Sequence, residues 1–290
     1  MPALRLVLIT IQILFGVNYL ASKIVVTEIG PGAWAALRTG SAFLVIALIA
    51  LLKKRRLPPR RDIAILAVVA LFGVVFNQGF FLEGLARTTV GRSALICSQI
   101  PTFVLLFSVI SRQEQLTVRK LLGFAAGIIG TLVLLEADNF RMDSRYLIGD
   151  LLTLTNAASY GIFIVIGRKV MGRMDPLVAT TIVFFWGAVG MIIYGGSDLA
   201  ATQFATIPTS TYLAMVYVVI GATVVTYFLN LWAVKRVAAS RVAVYIFLQP
   251  LLATTLGVVF RDEVLSPRFA IAAVLVLLAL VLPDTKSKSN

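Results

Sequence analysis

The residues of this sequence that could do chemistry are polar side chains set singly or in pairs inside long apolar runs. Asn18 lies in the first run, Asn77 and Gln78 in the third, Ser98 and Gln99 in the fourth, and Asn156 and Tyr160 in the sixth. Thr226, Tyr227 and Asn230 follow in the eighth, and Tyr245 and Gln249 in the ninth. Amides and hydroxyls can hydrogen-bond the ammonium and carboxylate of a small zwitterion, while Phe80, Phe81, Tyr160, Tyr227 and Tyr245 offer faces for an apolar side chain. The same groups can instead link neighbouring helices, at about 1 kcal/mol each. The residue types alone leave both readings open.

Other chemistries lack their parts. The chain has no His and a single cysteine, Cys97, so neither a disulfide nor a Cys/His metal cluster can form within it. No group of carboxylates and no nucleophile beside a base stands out, so no catalytic residue, metal ligand or cofactor is expected. Cys97 is read as a small apolar packing residue.

The elements that must position these side chains are membrane helices. Only 13% of the 290 residues are charged and 59% are hydrophobic, against about a quarter charged in an ordinary soluble domain. Several apolar runs approach the ~20 residues that cross a ~30 Å hydrocarbon core as a helix. Ten spans are expected, at 4–25, 32–52, 63–86, 93–112, 119–136, 147–168, 176–196, 211–234, 240–260 and 266–283. No small-residue cleavage site ends the first, so it is kept as a span rather than a signal peptide. If the N-terminus is cytoplasmic, 18 of the 26 Lys and Arg fall on the cytoplasmic side, including the block "KKRRLPPRR" at Lys53–Arg61. That asymmetry predicts both termini inside. The net charge of +13 then needs no nucleic-acid partner, and attraction to anionic lipid head groups follows from it.

Two octets, "RQEQLTVR" at Arg112–Arg119 and "RDEVLSPR" at Arg261–Arg268, expose a repeat. A single shift of 149 positions superposes Arg87 on Arg236, Arg92 on Arg241, Pro101 on Pro250, Glu114 on Glu263 and Arg119 on Arg268. A weaker match at a shift of 145 places Gly16 over Gly161, Lys23 over Arg168 and Pro31 over Pro176. The chain therefore divides into units 1–140 and 141–290, each of five helices. Five is odd, so the second copy enters the membrane inverted, which is the arrangement of many alternating-access carriers.

The copies "GLARTTVGRSALICSQIPTFVLLFSVISRQEQLTVRKLLGFAAG" and "AVKRVAASRVAVYIFLQPLLATTLGVVFRDEVLSPRFAIAA" resemble the EamA repeat of the drug/metabolite transporter (DMT) superfamily. The openings "FGVNYLASKIV" and "ALRTGSAFLVIAL" resemble that family's first two helices. The resemblance implies an all-α protein of ten helices in two inverted five-helix repeats around a central cavity, exporting small metabolites. Within the family it is most similar to bacterial amino-acid exporters of the YddG type, which implies a bacterial inner membrane. One departure is Val183, which stands in the second copy where Arg38 stands in the first.

Pro101 and Pro250 each remove a helical hydrogen bond in mid-span, predicting a kink that serves as a hinge or as a static bend. Arg38 is expected to snorkel or to pair with a residue such as Glu83, with carboxylate binding the less favoured role. Trp34, Trp186 and Trp232 are read as interface anchors, and Gly123 and Gly127 as an internal packing face. The last point makes the protein a monomer or weak homodimer. Acidic residues such as Glu28, Glu83, Asp150 and Glu263 sit at span ends or in connections, so facilitated diffusion of amino acids, without ion coupling, is favoured. A proton-coupled exporter of drugs or lipophilic cations is the rival carrier, and a membrane receptor or scaffold the rival of another class.

Overall fold

The computed structural model describes residues 2–55, 58–134, 144–171, 174–252, 255 and 268–282. The second octet apart from Arg268, the last part of the ninth span and the C-terminal lysines lie outside the described residues. The architecture is all-helical: α1 (Pro2–Ile29), α2 (Pro31–Leu52), α3 (Arg60–Arg87), α4 (Val90–Ile110) and α5 (Val118–Leu134) form the first half. The second half comprises α6 (Ser144–Met171), α7 (Pro176–Ala201), α8 (Thr209–Val234), α9 (Ala239–Leu252) and α10 (Arg268–Val281). Among the described residues, seven of these helices are long and apolar enough to cross a membrane; α5, α9 and α10 are shorter.

Local sequence explains where helices begin and bend. Pro31 and Pro176, paired at the shift of 145, each occupy the first turn of α2 and α7, where a missing N–H costs nothing. Asp175 caps α7 by accepting from the Leu177 and Val178 amides, while α2 follows Gly30, whose φ of 79° suits a residue without Cβ. Pro101 and Pro250 also act alike. The helix of α4 is interrupted at Ser98–Gln99 just ahead of Pro101, and α9 tightens to a 3-10 stretch at Val244–Phe247 just ahead of Pro250.

Helices α3 and α8 each contain a π-helical turn, at Leu71–Phe76 and Ile220–Val225. These two stretches are related by the same shift of 149 that relates the octets, which carries the correspondence back into the preceding helix. A π turn displaces the regular hydrogen-bond ladder and is common at functional sites.

The packing of the halves is reciprocal. Helix α2 packs chiefly on its counterpart α7 and α5 on its counterpart α10, while α1 packs on α8 and α6 on α3. Exchanging the halves maps the α2–α7 and α5–α10 contacts onto themselves and the α1–α8 contact onto the α6–α3 contact. Helices α2 and α7 approach closely, so that a Cβ on Gly195 would lie 2.0 Å from the Gly32 carbonyl oxygen. Gly127 packs on Phe247 and Gly130 on α10, in keeping with the internal packing expected of this helix face. Outward positions carry Leu, Ile and Val, with Ile193 at 81% exposure, a band that fits hydrocarbon rather than water. Trp34 departs from its expected interface position: it is fully buried, because its neighbours on α2 form the face that meets the protein interior. Trp186 is exposed, and Trp232 lies under the Arg236 guanidinium.

Candidate functional site

A cavity of about 70 Å³ lies between the halves. It is lined from the first half by Phe15, Asn18, Tyr19, Arg38, Asn77, Gln78, Phe81, Cys97 and Ile100, and from the second by Asn156, Tyr160, Tyr227, Ile246 and Gln249. Of the polar residues singled out in the sequence, Asn18, Asn77, Gln78, Asn156, Tyr160, Tyr227 and Gln249 meet here together with Phe81. Ser98, Gln99, Thr226, Asn230 and Tyr245 do not line it. Three of these have intrahelical partners: the Ser98 hydroxyl donates to Leu95 O, the Thr226 hydroxyl to Ala222 O, and the Asn230 amide to Thr226 O. The Gln99 amide donates to Ser98 Oγ at 3.4 Å, and Tyr245 is buried.

The wall is held by hydrogen bonds that join the halves. The Tyr19 hydroxyl donates to Gln249 Oε1 at 3.1 Å, and the Gln249 amide donates to Gln12 Oε1 at 2.7 Å, tying α1 to α9. Asn156 Nδ2 donates to the Asn77 carbonyl at 2.6 Å, tying α6 to α3. The two π turns are gripped from the opposite half. The Tyr227 hydroxyl of α8 donates to Gly73 O in the α3 turn at 2.6 Å, and Arg38 Nε of α2 donates to Thr223 Oγ1 in the α8 turn at 2.8 Å. Tyr227 also has the Phe184 ring against its own at 4.8 Å, edge to face.

Arg38 is the residue whose placement differs most from expectation. It is 3% exposed and neither snorkels nor pairs with Glu83, which is engaged by Arg87 and by the Tyr194 hydroxyl. Phe15, Arg38, Cys97, Ile100 and Ile246 were not singled out as cavity residues. A charge two turns into a span was the one available signal for Arg38; the other four are apolar or nearly so and are indistinguishable in sequence from packing residues.

The first octet has a structural role and an inter-half contact. Arg112, with φ 55°, ends α4 in the left-handed conformation, and the Gln113 amide returns to Ser108 O at 2.9 Å. Thr117 Oγ1 accepts from the Lys120 amide at the start of α5. Between these ends, Glu114 accepts from Lys120 Nζ at 2.7 Å, from the Ser240 amide at 3.1 Å and from the Ser240 hydroxyl. A carboxylate of the first half thus binds the N-terminus of α9 in the second. Burial pushes the Glu114 carboxyl up, but the bonds from Lys120 and Ser240 outweigh it and hold the group below the usual carboxylate range. At the other end of the bundle Asp150 of α6 pairs with Arg92 of α4 and accepts from the Thr88 hydroxyl at 2.7 Å. Polar bridges between the halves therefore lie at both ends of α4.

The sequence profile of the EamA-like transporter family matches residues 4–136 and again residues 147–282. The chain belongs to the EamA-like transporter family. It is thereby a multi-pass membrane transporter of the DMT superfamily, and not an enzyme. An uncharacterized transporter of Bacillus subtilis, YvbV, is 28% identical over 98% of this chain and 92% of its own length. The uncharacterized transporter YoaV of the same organism is 21% identical over 95% and 94%. A chloroplastic WAT1-related protein of Arabidopsis thaliana is 26% identical over 95% of this chain and 68% of its own. A solved crystal structure with 20% identity superposes with a TM-score of 0.79 over 98% of this chain and 97% of the other, which shows the shared fold.

Proposed function

We propose that this transporter moves amino acids or closely related small zwitterionic metabolites outward across a bacterial inner membrane by alternating access, in the manner of YddG-type exporters. The observation that carries the reading is the composition of the cavity: amide, hydroxyl and guanidinium groups beside Tyr160, Tyr227 and Phe81, without an Asp or Glu among the described residues of its wall. That lining matches a zwitterion with an apolar side chain, whereas a lipophilic cation needs a carboxylate the lining does not contain. The reciprocal packing, the paired π turns and the double family match support two inverted five-helix repeats, 1–140 and 141–290, in a ten-span chain with both termini cytoplasmic. At about 70 Å³ the cavity lies well under the 300–1,000 Å³ of ordinary ligand sites, so the described arrangement is a narrow state that opens to admit substrate.

Transport is uncoupled from ions in this reading. Among the described residues Glu83, Glu114, Asp150 and Asp175 pair with cations and no carboxylate lines the cavity, so its described wall holds no acidic side chain to carry a proton between states. Uptake of labelled amino acids into proteoliposomes, with and without an imposed pH gradient, tests this. Equilibration in both conditions is expected; accumulation against the substrate gradient driven by the pH gradient would overturn the uncoupled mechanism, and uptake of lipophilic cations instead of amino acids would overturn the substrate class.

A further inference from the structure

The cavity wall holds both hydrogen-bonded and unpartnered polar atoms. Among the described residues, seven buried side-chain nitrogen or oxygen atoms lack a hydrogen-bond partner, and two of them belong to cavity residues: Arg38 Nη1 and Gln78 Oε1. One is a cationic donor and the other a neutral acceptor. Each is costly to leave unmade inside a low-dielectric bundle, the guanidinium most of all.

The anchoring of Arg38 explains which part of it is free. The Thr223 hydroxyl spends its hydrogen on Val218 O at 2.7 Å, five residues back, a reach made possible by the π turn. Its oxygen can then only accept, and it takes Arg38 Nε at 2.8 Å. With Nε fixed, the planar group is oriented and its terminal nitrogens remain for a ligand. No carboxylate among the described residues pairs with it. Gln78 is oriented likewise, its amide nitrogen lying 3.4 Å from the Tyr227 hydroxyl, which leaves Oε1 unpaired.

We infer that Arg38 and Gln78 are the substrate-recognising pair of this cavity, Arg38 taking a carboxylate and Gln78 Oε1 taking an ammonium group. The inference rests on the amino-acid reading above and adds a division of labour to it. The guanidinium gives a charge-assisted, geometrically specific grip on the carboxylate, and the amide oxygen rewards a donor. The position equivalent to Arg38 in the second half is Val183, so the two halves contribute unequally to recognition although they pack reciprocally. Because Thr223 belongs to the π turn of α8, a ligand drawn to Arg38 pulls on the helix of the opposite half.

The test uses leucine, isoamylamine, which lacks the carboxylate, and 4-methylpentanoate, which lacks the ammonium, as ligands of the full-length protein. Thermal stabilisation in detergent and inhibition of leucine uptake in proteoliposomes are read for wild type, Arg38→Gln, Arg38→Lys and Gln78→Leu. Wild type is expected to prefer leucine and 4-methylpentanoate to isoamylamine. Arg38→Gln should weaken both carboxylates about 10- to 100-fold while leaving isoamylamine within about twofold, and Arg38→Lys should restore part of the loss. Gln78→Leu should weaken leucine and isoamylamine and spare 4-methylpentanoate. Equal losses for all three ligands, or wild-type preference for isoamylamine, would overturn the pair. If wild type moves no amino acid yet is stabilised by 4-methylpentanoate through Arg38, the amino-acid reading fails and the carboxylate site stands. Should Arg38→Gln fail to fold, Arg38→Lys still decides: a partial loss of carboxylate affinity with isoamylamine binding and stability retained supports recognition, and carboxylate affinity unchanged from wild type overturns it.

Discussion

Replacing Glu114 by Gln removes the charge from the contact that ties the α4–α5 connection to α9, and the structure gives the size of the effect. The carboxylate takes one bond from Lys120 and two from Ser240, its side chain being 4% exposed. Hydrogen bonds to a charged group are each worth about 1.5–3 kcal/mol, and they are not additive. Glutamine keeps one acceptor oxygen, so we expect a net loss of about 2–3 kcal/mol for Glu114→Gln. Ser240→Ala removes the hydroxyl bond alone and should cost about 1 kcal/mol. The assay is a double-mutant cycle on unfolding of the purified protein in detergent. A coupling energy of about 1–2 kcal/mol between the two changes is expected, because they share one carboxylate. Additivity within about 0.5 kcal/mol would refute the reasoning. It would mean that the contact does not bind the halves to each other.

The same carboxylate sets a pH dependence. Its value is depressed in the folded protein, so its contribution is fully present above the unfolded value of about 4.3 and is lost as pH falls through the lower folded value. Melting temperature should hold from neutral pH to about 5 and drop below about 4, with a smaller drop in Glu114→Gln. Gly195→Ala forces a Cβ to 2.0 Å from the Gly32 carbonyl and should cost about 1–3 kcal/mol of stability, whereas Gly40→Ala, which meets nothing within 4 Å, should be neutral or slightly stabilising. Comparison of their melting curves checks this. Cys97 is the single thiol of the chain and lines the cavity, so its alkylation by N-ethylmaleimide should be slow and slower still with saturating leucine; a rate indifferent to leucine would contradict the placement of the substrate.

Much of the architecture was legible in the sequence because the membrane imposes it. Apolar runs of span length, the charge block at Lys53–Arg61 and the paired octets gave helices and their two-copy pattern, and Pro31, Pro176, Pro101 and Pro250 marked starts and irregularities where the structure has them. The π turns were not legible: "LFGVVF" and "IGATVV" are largely apolar stretches whose glycines, Gly73 and Gly221, fall out of register. Helix rotation was likewise hidden, since a span that is apolar all round has no periodicity to fix its inward face. Hence Thr226, one residue before Tyr227, bonds its own helix while Tyr227 lines the cavity. Arg38 was visible as a charge in a span, but its fate depended on Thr223, 185 residues away, whose acceptor role follows from a π turn. The Glu114 contact shows the reverse case. Its residue was conspicuous as part of the repeat, yet its partner Ser240 carries no mark in the sequence.

The central claim, that the cavity carries amino acids by alternating access, is tested most directly by counterflow. Proteoliposomes loaded with unlabelled leucine and diluted into a trace of labelled leucine, without any pH or voltage gradient, should show transient accumulation of label that decays as the internal pool drains. Absence of that overshoot, for leucine and for every other amino acid in a panel, would contradict the account.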